Sequence, residues 1–372
     1  MKKFLALLLT LLMVLSLAAC GGTANTGTPP ETDPPAADEP AGEPDSASPA
    51  ETSETLYPFT FTDMAGREVT LESEPQRIVS GYYISSSACI ALGLADRIVA
   101  VEDKSGQRPI YSLAAPQLID LPNVGSAKSF DLETCVAAEP DLVILPMKQK
   151  DTADALAELG IPAMLVLPES HEQIIEMFVL IGAAANVTEQ VLTLTAYYGG
   201  KLADAANLTQ ALTDEERPVV YIGGTSSYLT TAPGGMYQAS LITAAGGINA
   251  GQDIEGTSWT EISYEQLLAM DPDVIVIPTN NFATSAPEYT VEDILSDPQL
   301  SEVTAVKNGA VYQMTTGFEA WDSPAPSGIL GTLWMLKTLH PELYNSEQFV
   351  ADAQDFYQTF YGFTPDAAAL AA

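Results

Sequence analysis

The chain has 372 residues, of which 49 are acidic and 14 basic, for a formal net charge of −35. That balance argues against nucleic acid as a partner and reads first as a device for solubility. With two histidines and three cysteines, no spacing supports a zinc site or a histidine-based catalytic centre.

In chain order, Lys2 and Lys3 precede an apolar run, Phe4–Leu17, that is short for a membrane span. Leu17-Ala18-Ala19-Cys20 resembles the cleavage site of bacterial lipoproteins. Residues 1–20 are therefore expected to be a signal peptide, with a lipid on Cys20 anchoring the mature chain outside the membrane. Residues 21–56 are rich in Pro, Ala, Thr, Ser, Glu and Asp, and contain no Lys or Arg. Too little apolar surface is present there for a core, so a disordered, semi-extended tether is expected.

The folded part opens with alternation in Phe59–Thr62 and Glu68–Leu71 around Ala65-Gly66, which predicts a hairpin. Ile78–Ser80 reads as a buried strand, followed by Gly81-Tyr82-Tyr83 and a helix running to Leu92-Gly93. Arg97–Val101 reads as the next strand, and residues 102–128 as irregular. Cys89 and Cys135 fall in apolar helical patterns and read as buried thiols, with a disulfide between them as the second reading.

One stretch then occurs twice. Residues 130–146 and 262–278 align without a gap and share Glu, Ala, Pro, Asp and Pro. Asp131 and Ser263 are N-caps, and Ser263 with Gln266 forms a capping box. Pro140 and Pro272 stop a short helix. The unbroken apolar runs Leu142–Leu145 and Val274–Ile277 suit strands buried on both faces, hence parallel sheets covered by helices. Two such units, too far apart for a solenoid, predict two lobes facing one another.

Between the copies, Thr152–Gly160 and Glu172–Ala185 read as helices and Ile161–Leu167 as a strand. Thr188–Leu212 reads as one long helix crossing between lobes, with Gly199-Gly200 as the place where it would bend or break. Val219–Ile222 is a strand and Met236–Ala245 a helix. Asn308-Gly309 between Val306 and Val311 predicts a hairpin. Thr315–Ser327 reads as a loop, and Ile329–Leu339 and Glu347–Phe360 as closing helices.

Several of these features, in this order, resemble one family. They are Asp63, Gly66-Arg67 and Pro75-Gln76-Arg77-Ile78-Val79; Leu92-Gly93 with Ala95-Asp96; Val124-Gly125; both Pro-Asp stretches; and Ala245-Gly246-Gly247. The chain resembles the solute-binding proteins of ABC importers for iron–siderophore complexes, haem and cobalamin, from Tyr57 to about Phe363. The resemblance implies an α/β fold of two three-layer α/β/α lobes, 57–187 and 215–364, with central, mainly parallel sheets. A single long helix, 188–214, would join them, and 365–372 would be a tail. It implies a monomeric receptor with no catalytic residues and no cofactor, which delivers a metal chelate to a permease dimer and its ATPase.

Ligands of open α/β sheets bind beyond the carboxyl ends of the strands. That rule selects Tyr82, Tyr83 and Lys148 in the first lobe, and Tyr228 and Asn280 in the second. By the resemblance, Trp259 and the loop holding Phe318, Glu319, Trp321 and Asp322 also face the cleft. Arg108 is a further candidate for an anionic ligand. Glu133 and Glu265 hold equal places in the first turns of the two repeated helices, where the helix dipole alone would favour an acid. The resemblance implies that they also dock on arginines of the permease.

An enzyme of doubly wound fold is the second class, but no Gly-x-Gly-x-x-Gly, P-loop or Gly-x-Ser-x-Gly follows a strand. A lipid-anchored sensor or adhesin is the third. Among ligands, an iron(III)–siderophore complex is expected first, cobalamin or another corrinoid second, then haem and oxyanions such as molybdate. The scarcity of arginine favours a hydroxamate or near-neutral chelate over a catecholate.

Overall fold

The two unbroken apolar runs become equivalent strands of two separate sheets. The computed structural model describes residues 56–278, 289–314 and 317–371. An antiparallel hairpin of β1 (Phe59–Thr62) and β2 (Glu68–Leu71) comes first. The first lobe then carries β3 (Ile78–Ser80), β4 (Ile98–Val101), β5 (Leu142–Pro146) and β6 (Ala163–Val166). These lie in the order β4-β3-β5-β6, every pair parallel. The second lobe carries β7 (Val219–Ile222), β8 (Ile248–Asn249), β9 (Val274–Ile277) and β10 (Val311–Gln313). Their order is β8-β7-β9-β10, again all parallel. Both lobes therefore wind the same way, and the repeated Pro-Asp stretch supplies the third strand each time.

The repeated residues have repeated jobs. The Asp141 carboxylate accepts the backbone N–H groups of Gln76 and Arg77, both at 2.8 Å. The Asp273 carboxylate accepts that of Val219, also at 2.8 Å. Each aspartate thus ties the start of the third strand to the start of the first. The residue before each proline, Glu139 at φ 48° and Asp271 at φ 40°, is left-handed, a conformation that turns the chain sharply out of the helix. Beyond the first strands stand Gly81 and Gly223. A Cβ there would lie 2.7 Å from Leu145 and 2.4 Å from the Tyr289 hydroxyl respectively, so only glycine leaves both crossings room.

Strand residues alternate between two apolar layers. Ile78, Leu142, Ile144, Val220, Ile222, Val274 and Val276 join one continuous core that runs through both lobes. Val79, Val143 and Leu145 face an outer layer with Cys135, while Tyr221, Ile275 and Ile277 face another with Leu267. Cys135 lies on α2 (Leu132–Ala137) and Leu267 on α7 (Tyr264–Met270), so the repeated helices cover equivalent outer faces. Burial on both faces is why the strands read as unbroken apolar runs. The remaining principal helices are α1 (Tyr83–Ala91), α3 (Lys150–Glu158), α4 (His171–Ala184), α5 (Thr188–Thr209), α6 (Tyr237–Ala244), α8 (Gly328–Leu339) and α9 (Ser346–Tyr361).

The connecting helix α5 runs unbroken through Gly199-Gly200, where an added Cβ would meet nothing within 4 Å. These glycines cost helix propensity but do not break the helix. Around the helix, His171 Nδ1 bonds the Tyr198 hydroxyl at 2.9 Å, and its ring meets that of Tyr237 edge-on at 5.5 Å. This joins α4 of the first lobe, α5, and α6 of the second.

Two sequence expectations change, and one second reading is excluded. The Asn308-Gly309 hairpin does not form: Thr304–Lys307 is a short helix, and β10 pairs parallel to β9, so Gly309 at φ 67° ends a helix. Residues 102–128 are not wholly irregular, since Pro109–Ala114 is helical and Gly125–Ser126 pairs with Ser129–Phe130. Cys89 and Cys135 are both free and buried; one packs in the central core and the other in the outer layer, so no disulfide joins them.

Candidate functional site

Strand order fixes where a ligand can sit. In both sheets the chain reverses its direction of travel between the first and third strands, and a crevice opens beyond the carboxyl ends at that switch. In the first lobe the crevice lies beyond Ser80 and Pro146, in the second beyond Ile222 and Ile277. Tyr82 is the N-cap of α1 and Tyr83 its first residue, so the end of β3 delivers both there.

Tyr83 and Ser87 stand four residues apart, on one face of α1. That face meets the loop before α8. The Tyr83 hydroxyl donates to Ser323 Oγ at 2.9 Å, and the Ser87 hydroxyl donates to Glu319 Oε1 at 3.1 Å. Arg108 lies over the Tyr83 ring, its Cζ 4.4 Å from the centroid, a position that the ring's quadrupole favours. Together with Pro109, Ile110, Phe318, Ala320 and Ala325, these residues line a small cavity of about 30 Å³.

Beneath the cavity is a buried acid that the sequence reading missed. Glu102 follows β4; its Oε1 accepts the Tyr111 hydroxyl at 2.6 Å and Arg108 Nε at 3.2 Å, and its Oε2 accepts the Ser86 hydroxyl at 2.6 Å. Burial raises its pKa, against the opposing pull of Arg108 and of these hydrogen bonds. Glu102 orients Arg108 and occupies its Nε. Among the described residues, the two terminal guanidinium nitrogens make no hydrogen bond. The run Ser85-Ser86-Ser87 on an otherwise apolar helix was the available signal for this polar layer, since consecutive buried hydroxyls need partners.

Glu319 is the other carboxylate at the cavity. It is 7 % exposed, and burial pushes it up to about 7. On the first-lobe side, Glu169 beyond β6 is also raised by burial, and Lys148 pulls it down again. Lys148 itself is exposed, and Tyr82 meets the Tyr83 ring edge-on at 5.5 Å.

The other expected residues separate. Trp321 is fully buried, with its Nε1–H donated to the Tyr357 hydroxyl at 2.9 Å and its ring edge-on to Phe349. It does not face the cleft; it pins the Glu319 loop to α9, because an indole in that apolar layer needs one partner for its N–H. Tyr228 belongs to a cluster inside the second lobe, where its hydroxyl donates to Asp297 at 2.7 Å. Trp259 is half-buried and packs by Gly224, just past β7, but lines no part of the cavity. Asn280 and Cys20 lie outside the described residues.

Glu133 and Glu265 are both exposed, on α2 and α7. The Asp131 side chain caps the first helix at Thr134 N, and Ser263 with Gln266 closes a capping box on the second. The Glu265 carboxylate is held below its ordinary pKa by its own backbone N–H and by Ser263.

Comparison with known proteins places this architecture. Residues 78–316 match the model of a family described as periplasmic binding protein. The molybdate-binding protein MolA of Haemophilus influenzae is 23 % identical over 338 residues, covering 83 % of this chain and 93 % of its own. A cobalamin-binding protein of Halobacterium salinarum is 28 % identical over 223 residues, covering 59 % of this chain and 58 % of its own. Among solved structures, a periplasmic solute binding protein from Veillonella parvula superposes with a TM-score of 0.71 at 27 % identity, covering 84 % of this chain and 95 % of that one.

Proposed function

Because the chain belongs to the periplasmic binding protein family, we propose that it is the receptor of an ABC importer, held outside the membrane by a lipid on Cys20 and the tether 21–56. It grips a compact anion, an oxyanion or a small anionic chelate, in the seam between its lobes. Glu133 and Glu265, one on each lobe, meet a permease dimer whose two halves carry matching basic groups; charge complementarity of this kind fixes orientation. Binding and release make and break no covalent bond.

One observation carries the choice of ligand. The seam closes around Arg108, whose terminal nitrogens lack hydrogen-bond partners among the described residues, in a cavity of about 30 Å³. A guanidinium is the side chain best shaped to take oxygens in pairs. The near full-length similarity to a molybdate-binding protein supports the same class. The iron–siderophore complex expected from the sequence, or a corrinoid or haem, is the second reading. It is favoured by the half-buried Tyr82 and Trp259 near the strand ends, and it requires the lobes to part widely.

Titration calorimetry on the mature chain bearing Cys20→Ser tests this. The ligands are molybdate, iron(III) citrate, an iron(III)–hydroxamate, cobalamin and haem. Binding of one compact anion at micromolar Kd or tighter is expected. Binding of cobalamin, haem or the hydroxamate, with neither anion taken up, would overturn the ligand class while leaving the receptor role standing.

A further inference from the structure

Among the described residues, one carboxylate in the seam leaves half of its hydrogen-bonding capacity unused. Glu319 Oε1 accepts the Ser87 hydroxyl, but Oε2 is buried with no partner. The buried Ser327 hydroxyl is likewise unpartnered; it stands near enough to pull on Glu319 but outside hydrogen-bond geometry. A buried carboxylate with a bare oxygen is costly when charged. It is far less so as a neutral acid, which has a proton to give.

The surrounding charges point the same way. Arg108 is already matched by Glu102 at 3.2 Å. With Glu319 ionised these three groups sum to one negative charge; with Glu319 neutral they sum to zero. Asp322, on the same loop, adds to the negative side. The remaining titratable neighbours are tyrosines: Tyr83 on α1, Tyr111 after Arg108, and Tyr357 and Tyr361 on α9. Burial raises Tyr83, Tyr111 and Tyr361, so they stay neutral. An anion entering beside an ionised Glu319 would be repelled at contact distance. Beside a neutral one it gains a donor.

We propose that Glu319 is the specificity-determining residue of the site: it binds the anionic ligand as a neutral carboxylic acid, donating its proton to a ligand oxygen while Arg108 supplies the positive charge. This rests on the compact-anion reading. When Glu319 is ionised in the free protein, one proton is taken from solvent on binding and given back on release. The loss of affinity above the neutral range then follows from linkage: one proton per ligand means tenfold per pH unit once Glu319 ionises. A neutral amide at this position keeps the shape and a donor but has nothing to titrate.

The experiment is calorimetry with molybdate and with iron(III) citrate at pH 6 and pH 8.5, in buffers of different ionisation enthalpy. The wild type and Glu319→Gln are compared, with thermal melts to confirm that both fold. Infrared difference spectra between the two provide a second readout, the C=O stretch of a protonated carboxyl. For the wild type, at least one anion should bind about tenfold or more weakly at the higher pH, with net proton uptake there. Glu319→Gln should bind within about threefold of the wild-type value at pH 6 and show no pH dependence. The carboxyl band should be present in the wild type at pH 6 and absent from the variant. Equal wild-type affinity at both pH values overturns the proposal. So does loss of binding by a folded Glu319→Gln at both, or absence of the carboxyl band. If neither anion binds at pH 6 the proposal also falls; cobalamin binding in the same series would then show that the receptor reading survives with a different ligand.

Discussion

Asp141 and Asp273 make the same clamp in opposite lobes: each heads a third strand and accepts the backbone N–H that starts the first, Arg77 in one case and Val219 in the other, at 2.8 Å in both. The Asp of the repeated Pro-Asp pair is therefore a fold residue, and its recurrence marks one winding used twice. Asp141 takes a second N–H, from Gln76, that Asp273 does not match.

Replacing either aspartate by alanine strands the backbone groups it satisfies. Asp141→Ala should cost about 1–3 kcal/mol, and Asp273→Ala, with one bond in a more exposed place, about 0.5–1.5 kcal/mol. Urea unfolding at neutral pH measures both. Equal losses would mean that the bond to Gln76 adds nothing.

Tyr83 bridges the lobes through its hydroxyl and carries Arg108 on its ring. Tyr83→Phe keeps the ring and removes the bond to Ser323. Arg108 should stay in place while the seam opens more readily, which raises the ligand off-rate several-fold with little change in melting temperature, since one hydrogen bond is worth about 1 kcal/mol. Stopped-flow release and hydrogen exchange over residues 317–327 would show it. Unchanged exchange in that loop would remove the bridge from the closing motion.

His171 links both lobes to α5, and burial lowers its pKa to about 4, with the neighbouring Glu172 pulling the other way. The unfolded chain protonates it near 6.5. Below that pH the unfolded state binds a proton that the folded state refuses, so stability is complete above about 6.5 and falls as pH drops towards 4. The loss reaches at most about 3 kcal/mol. Chemical denaturation of the wild type and His171→Gln between pH 7 and pH 4 tests the sign. The variant should show the shallower acid loss; parallel curves would assign the slope to carboxylates instead.

Glu133 and Glu265 are both exposed, and the groups that act on Glu265 are its own backbone N–H and the N-cap Ser263, at the start of its own helix. Glu133→Ala with Glu265→Ala should leave ligand affinity and folding unchanged while abolishing uptake into cells or permease-containing proteoliposomes. Normal uptake by the double variant would end the docking role.

Periodicity, with the turn at Ala65-Gly66, located both parallel sheets, the opening hairpin and the helical character of α5, but not its continuity through Gly199-Gly200. A strand covered on both sides is apolar at every position, and a buried helix is apolar at helical spacing, so each carries its own signature. The repeat also disclosed two lobes, because both copies carry a capped short helix, a proline stop and an unbroken apolar run, which favours the same local fold twice. Arg108 and Glu319 could be named from the chain, but not placed together. They are 211 positions apart and meet only because α1 and the loop before α8 face each other across the seam. Glu102 is not legible because nothing around it in the chain distinguishes a buried polar residue from an exposed one; the run Ser85-Ser86-Ser87 on an apolar helix marks a polar layer but not the partners it meets. Trp321 was misread for the converse reason: an aromatic in a loop looks available for stacking until a hydroxyl such as that of Tyr357, supplied by a distant helix, claims its N–H. Local sequence sets which way each segment turns and which face it hides; only the packed chain decides which polar groups find one another, because those meetings depend on contacts between segments far apart in order.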